Sequence, residues 1–118
     1  MPKPRTALVV DDEVIIRRLV RTVLEADDFA VTEAAGGTEA LEAAESEHPT
    51  VVVLDVMMPD MDGVEVCRRL DRSLKVVMLT ARDDPELEKR CRDAGAVAFL
   101  TKPFSSIELL DLLEGLIE

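Results

Sequence analysis

Val51–Gly63 reads VVVLDVMMPDMDG. Its leading apolar run, Val51–Leu54, is too short for a membrane span and suits a strand buried on both faces of a parallel sheet. Asp55 follows directly. In an open α/β sheet, ligands gather just beyond the carboxyl ends of the strands, so a carboxylate there stands where chemistry is usually done. Pro59 and Gly63 break the chain and make Met57–Asp62 a loop rather than a continuation of the strand.

Other apolar runs end in the same way. Ala7–Val10 (ALVV) leads into Asp11 and Asp12, Val76–Leu79 (VVML) into Thr80, and Val97–Leu100 (VAFL) into Thr101 and Lys102. If these strands are parallel neighbours, Asp11, Asp12, Asp55, Thr80 and Lys102 converge on one edge of the sheet.

The rest of the chain supplies the helices. After a lead-in over residues 1–5 and a strand over 6–10, Asp11 and Asp12 are expected to cap a helix over 14–26, because acidic groups favour that end. At about 100° per residue, Ile16, Leu19, Val20 and Val23 share one face of it, with Val14 nearly opposite and Ile15 on the flank. Asp27 and Asp28 end this helix. A strand over 29–34 follows, and Gly36 and Gly37 turn into a helix over 38–46. His48, the only histidine, sits beside Pro49 in a loop and is read as solvated. Helix three covers 63–72. Asp83-Asp84-Pro85 starts a helix over 85–94 that Gly95 closes. Ser105 and Glu108 have capping-box spacing for a last helix over 106–117. Strands alternating with helices, without internal repeat, give one domain over residues 1–118 with an α/β (βα)5 doubly wound parallel sheet.

The chain has 118 residues, a formal net charge of −11 and few aromatics, with Trp and Tyr absent. A core of Val, Leu, Ile, Ala and Met is therefore required. A negative field of this size repels phosphodiester backbones and excludes direct binding of nucleic acid. Cys67 lies on a stripe with Val64 and Leu70, and Cys91 on one with Leu87 and Ala94; their separation fits no zinc pattern, so both are read as reduced and buried. With no secretory signal and no membrane span, the expected location is the cytoplasm.

The Asp11-Asp12 pair, Asp55 before MMPDMDG, Thr80-Ala81, and Lys102-Pro103-Phe104 together resemble the receiver domain of two-component response regulators, the CheY-like fold. The resemblance covers essentially the whole chain. It implies the strand order 2-1-3-4-5, a cis bond before Pro103, and phosphorylation of Asp55. It also implies Mg²⁺ (Mn²⁺ would serve as well) held by Asp12, Asp55 and the backbone carbonyl of Met57, with Asp11 acting through water. Clustered carboxylates suit that cation because it favours hard oxygen donors. Lys102 and Thr80 would stabilise the phosphoryl oxygens, and Thr80 and Phe99 would move as a switch. The chain has no P-loop, so the donor should be the phosphohistidine of a sensor histidine kinase or phosphotransfer protein, or a small acyl phosphate. The recipient of the signal is a downstream output protein or domain.

Further expectations concern surfaces and lifetime. Val14 and Ile15 beside the acidic site form a contact surface. Leu109, Leu112, Leu113 and Leu116 make a core face, while Ile107, Leu110 and Ile117 lie off its edge and propose a partner or phosphorylation-dependent homodimer surface. The resemblance further implies that Met57 and Arg82 flank the path of an attacking water, which predicts slow loss of the phosphoryl group. Two other classes compete. A phosphohydrolase of the haloacid dehalogenase class needs a second Asp where this chain has Met57, and a non-phosphorylated docking module has no need of Asp55, Thr80 and Lys102 together.

Overall fold

The computed structural model describes residues 5–117. Within them run β1 (Arg5–Val10), α1 (Val14–Ala26), β2 (Phe29–Ala34), α2 (Gly37–Glu47), β3 (Val51–Asp55), α3 (Gly63–Arg69), β4 (Lys75–Thr80), α4 (Pro85–Asp93), β5 (Ala98–Thr101) and α5 (Ser106–Ile117). The strands are all parallel and lie in the order β2-β1-β3-β4-β5. The α/β class, the alternation and the strand order agree with the sequence reading. Of the lead-in expected over residues 1–5, Arg5 already belongs to β1 and residues 1–4 lie outside the described residues.

Every residue of β3 is buried. Strand alternation divides its side chains between two layers: Val52 and Leu54 pack with Ala40, Ala44, Val66 and Cys91, while Val51 and Val53 pack with Val20, Leu24, Leu109 and Leu113. Helices α2, α3 and α4 thus cover one face and α1 and α5 the other, which is why the strand sequence is apolar without alternation. Each such side chain contributes roughly 1.5–3 kcal/mol on burial.

Several details differ from the sequence reading. Leu19 is 54% exposed; the buried face of α1 is centred on Val20 and Leu24, one turn apart, and leaves Leu19 at its margin. Val14 and Ile15 are exposed as expected. The first residue before α1 is Glu13, which makes no side-chain cap; Asp11 Oδ1 instead accepts the Glu13 amide at 2.9 Å. Helix α3 stops at Arg69 rather than near 72, because Leu70 turns to extended backbone to bury its side chain and Asp71 then bonds the Ser73 amide. On α5, Leu110 and Ile117 are half-buried against the core, and only Ile107 of the three residues proposed for an apolar edge is exposed. More of the circumference of α5 packs inward than a single stripe requires.

Other local readings agree. Asp84 caps α4 through the Glu86 and Leu87 amides, with Pro85 in the first turn. Ser105 and Glu108 bond reciprocally at 3.1 and 3.0 Å. Gly95 has a positive φ of 117°, a conformation favouring glycine at the end of α4. His48 is exposed at the end of α2. Cys67 and Cys91 are free and buried; burial pushes both thiols up, Cys91 to about 11, which keeps them protonated and unreactive. Among the described residues, no helix is long and apolar enough to cross a membrane.

Candidate functional site

The register aligns the strand ends. Asp55 lies opposite Leu79, and Thr80 opposite Thr101. Strand β1 stops at Val10, so Asp11 and Asp12 emerge beside the end of β3. The strand order reverses between β1 and β3, and this opens a crevice at their carboxyl edge, since their following helices cover opposite faces.

In that crevice, Asp11, Asp12 and Asp55 each offer an oxygen, all within 4.8 Å of one another. Asp11 and Asp55 are buried, and Asp12 is exposed. Lys102, just past β5, reaches Asp11 Oδ2 and Asp55 Oδ1 at 3.3 Å each. Its amide donates to the Thr80 carbonyl at 2.6 Å, and the bond to Pro103 is cis. One ammonium facing three carboxylates leaves net negative charge. Burial, then the charge of Asp11, raises the Asp55 carboxyl from 3.8 to about 6 against the opposing pull of Lys102. Burial disfavours the Lys102 ammonium, but Asp55 and Asp11 outweigh it and hold its pKa above the ordinary value.

Hard oxygen donors converging with excess negative charge fit a small divalent cation, which would lower the repulsion that raises Asp55. Thr80 is fully buried, and its Oγ1 accepts the Arg82 amide at 3.1 Å. Met57 is 60% exposed at the start of the loop after β3. Arg82 is exposed and reaches Asp84 at 3.4 Å. Phe99 is half-buried on β5 against the layer that holds α4, away from the carboxylates.

Sequence reasoning missed two residues around this cluster. Arg17 on α1 donates to the backbone carbonyl of Asp11 at 2.7 Å and pairs with Glu33 of β2 at 2.8 Å. Asp60, in the loop after β3, accepts amides from the start of α2. The ion pair had a weak signal, an Arg on a helix followed by a lone acid in the next strand; the Asp60 contact had none.

A groove of about 320 Å³ lined by Ile16, Leu19, Ala81, Lys102, Pro103 and Phe104 adjoins the cluster. Leu19 of this groove is exposed, as are Val14 and Ile15 elsewhere on α1.

Comparison with known proteins gives a consistent result. The family model described as "Response regulator receiver domain" matches residues 7–114. Response regulator MprA of Mycolicibacterium vanbaalenii is 43% identical over 117 residues, which is 97% of this chain and 51% of that protein. Transcriptional regulatory protein PdtaR of Mycobacterium tuberculosis is 39% identical over 114 residues, 94% of this chain and 56% of that protein. The chain thus spans about half the length of these relatives. Chemotaxis protein CheY4 of Vibrio cholerae superimposes with a TM-score of 0.92 at 32% identity, covering 97% of this chain and 99% of that one. A CheY-like receiver domain protein from Methanospirillum hungatei gives 0.92 at 28% identity, covering 98% and 94%. A carboxylate crevice at the switch point of a 2-1-3-4-5 sheet, with this match along nearly the whole chain, makes the protein a member of the response regulator receiver domain family.

Proposed function

We propose that this receiver accepts a phosphoryl group on Asp55 from the phosphohistidine of a sensor kinase or phosphotransfer protein and relays its arrival to an output protein or domain. The observation that carries this is the Lys102 ammonium bridging Asp11 and Asp55 beside Asp12. An Asp55 oxygen attacks the phosphorus; the new O–P bond forms as the donor's N–P bond breaks, and the imidazole leaves with its electron pair. Asp11, Asp12, Asp55 and the Met57 backbone carbonyl are the residues that would hold Mg²⁺ or Mn²⁺. When bound, such a cation supplies charge neutralisation for phosphoryl oxygens entering a negative pocket. Lys102 adds a fixed positive charge at Asp55, and this chemistry rests mainly on positioning and electrostatics.

Relay would run through Thr80. Its hydroxyl oxygen accepts the Arg82 amide, and a phosphoryl oxygen on Asp55 would offer the hydroxyl proton a charged acceptor. Movement of Thr80 changes the space available to Phe99 on the neighbouring strand. The switch is driven only by the difference in contacts between the two states. Phe99 lacks a phenolic hydroxyl, so the output is read as shape.

Exposed Leu19 in the groove at Lys102, with exposed Ile15 on the flank of the same helix, favours docking of the donor there. Incubation with acetyl phosphate and Mg²⁺ followed by intact-mass measurement tests the central step. A single phosphate adduct is expected on the wild-type chain and none on Asp55→Ala; labelling of both variants alike would overturn the assignment.

A further inference from the structure

The loop Met57–Asp62 has no regular secondary structure, although the proposed acceptor stands just before it. Its ends are tied closely. The Val56 amide donates to Leu79 of β4 at 3.0 Å, and the Gly63 amide returns to the Val56 carbonyl at 2.8 Å. A Cβ on Gly63 would lie 2.3 Å from the Asp55 carbonyl, so the start of α3 is pressed directly against β3. In the middle, Met58 is buried in the core as an apolar anchor.

Asp60 adds a polar anchor of another kind. It is exposed, yet Oδ1 accepts the Gly37 amide at 3.1 Å and Oδ2 the Thr38 amide at 3.4 Å, across more than 20 residues of sequence. These are the unpaired N–H groups at the start of α2, and the residue at the cap position, Gly36, has no side chain to satisfy them. The Gly37 amide above all, with help from Thr38 and from amides of the loop itself, holds the Asp60 carboxyl below its ordinary range.

Both glycines leave room for this contact. A Cβ on Gly36 would stand 2.9 Å from both Asp60 carboxylate oxygens; one on Gly37 would stand 2.7 Å from Met61 Cβ and 2.8 Å from Val66 Cγ2. Gly36 has φ −165°, extended backbone open to any residue, so what it supplies is space. Helix α2 is itself fixed, because Ala40 and Ala44 are buried in the core.

We propose that Asp60 is a positioning residue for the phosphoacceptor site: by capping α2 from the loop, its carboxylate clamps the backbone that runs from Asp55 through Met57. This rests on the reading of Asp55 as acceptor and adds a residue that touches neither cation nor phosphoryl group. Its leverage is geometric. A peptide that contributes a carbonyl to a cation works only in one position, and displacements of an ångström in such sites cost large factors in rate.

The test compares Asp60→Ala, Asp60→Asn, Gly36→Ala and Glu42→Gly in the full chain. Mg²⁺ affinity is read by titration calorimetry, phosphorylation by acetyl phosphate labelling, and loop motion by hydrogen exchange of residues 57–62. Asp60→Ala should weaken Mg²⁺ binding and slow labelling by about tenfold, the low end for residues that orient a metal site, and speed exchange in the loop. Asp60→Asn keeps an acceptor oxygen and should restore most of the loss. Gly36→Ala leaves Asp60 present but crowds its carboxylate; it should weaken Mg²⁺ binding in the same direction by less than Asp60→Ala does, and the double variant should lose no more than Asp60→Ala alone. Glu42 is exposed on α2, so Glu42→Gly softens the helix and should leave Mg²⁺ affinity unchanged.

Wild-type Mg²⁺ affinity in both Asp60→Ala and Gly36→Ala, or an equal loss in Glu42→Gly, overturns the clamp. Should Asp60→Ala fail to fold, Gly36→Ala and Asp60→Asn decide by the same readings. A wild-type chain that takes up neither Mg²⁺ nor phosphate instead overturns the acceptor reading, and the clamp's role in it, before any variant is compared.

Discussion

Lys102 and Asp55 meet across β4: Nζ lies 3.3 Å from Oδ1, although 47 residues separate them in sequence. The same ammonium is 3.3 Å from Asp11, so one positive charge serves two buried acids. Lys102→Ala would leave both without it. Removing one partner from a buried charge cluster is strongly destabilising, and we expect a loss of about 2 kcal/mol or more at neutral pH without metal. Denaturant unfolding checks this, and added Mg²⁺ should recover part of the loss.

Asp55 gives a pH signature. Burial and the Asp11 charge raise its carboxyl from 3.8 to about 6 in the folded chain, so between those values the folded state holds a proton that the unfolded state releases. Its contribution is therefore most favourable below about pH 4, is lost as pH rises through 6, and stays lost above, a change on the order of 2–3 kcal/mol. In chelator, Asp55→Asn should be more stable than wild type at pH 7 and lose that advantage near pH 4. A pH-independent difference between the two would contradict the shift.

Thr80→Val keeps the shape of a fully buried side chain and removes the acceptor of the Arg82 amide. The expected cost is about 1 kcal/mol in unfolding free energy. Labelling of Asp55 should survive, while the amide chemical-shift changes that phosphate brings to β5 around Phe99 should shrink.

Met57 is 60% exposed, so Met57→Asn should alter stability by no more than about 0.5 kcal/mol. A side chain able to hydrogen-bond an attacking water should nevertheless hasten phosphate loss, by about fivefold for a barrier change of ~1 kcal/mol. If Arg82 screens the same approach, as its position two residues after Thr80 suggests from the family resemblance, Arg82→Ala should act in the same direction. Unchanged decay of the labelled protein in Mg²⁺ would refute this role for both.

Arg17 joins β2 to the acidic pair through Glu33 and the Asp11 carbonyl. Arg17→Ala should cost about 1–2 kcal/mol, because Glu33 and that carbonyl both lose a donor in a half-buried setting. The pull of Arg21, first, and of Arg17 holds Glu33 below the ordinary carboxylate range. Its share of stability is present above that range and is lost as pH falls through the lowered pKa. Wild type should accordingly lose more unfolding free energy on acidification, counted from its own neutral-pH value, than a Glu33→Gln, Arg17→Ala chain does.

The sequence alone determined the ends of β1, β3, β4 and β5 to within a residue, and the residues that follow them, because a strand buried in a parallel sheet must read as an apolar run and its successor must lie at the sheet edge, whereas the edge strand β2, FAVTEA, carries no such run. It also carried the caps at Asp84 and Ser105, whose hydrogen bonds span two or three residues. Only the tertiary structure decided that Leu19 faces outward, that Leu110 and Ile117 pack inward, and that Asp60 caps a helix far behind it in the chain. The first two depend on how each helix seats against the sheet and its neighbouring helix, to which a residue on the margin of an apolar stripe is most sensitive. The third depends on two loops meeting in space, and no local periodicity records which distant amides a carboxylate will find.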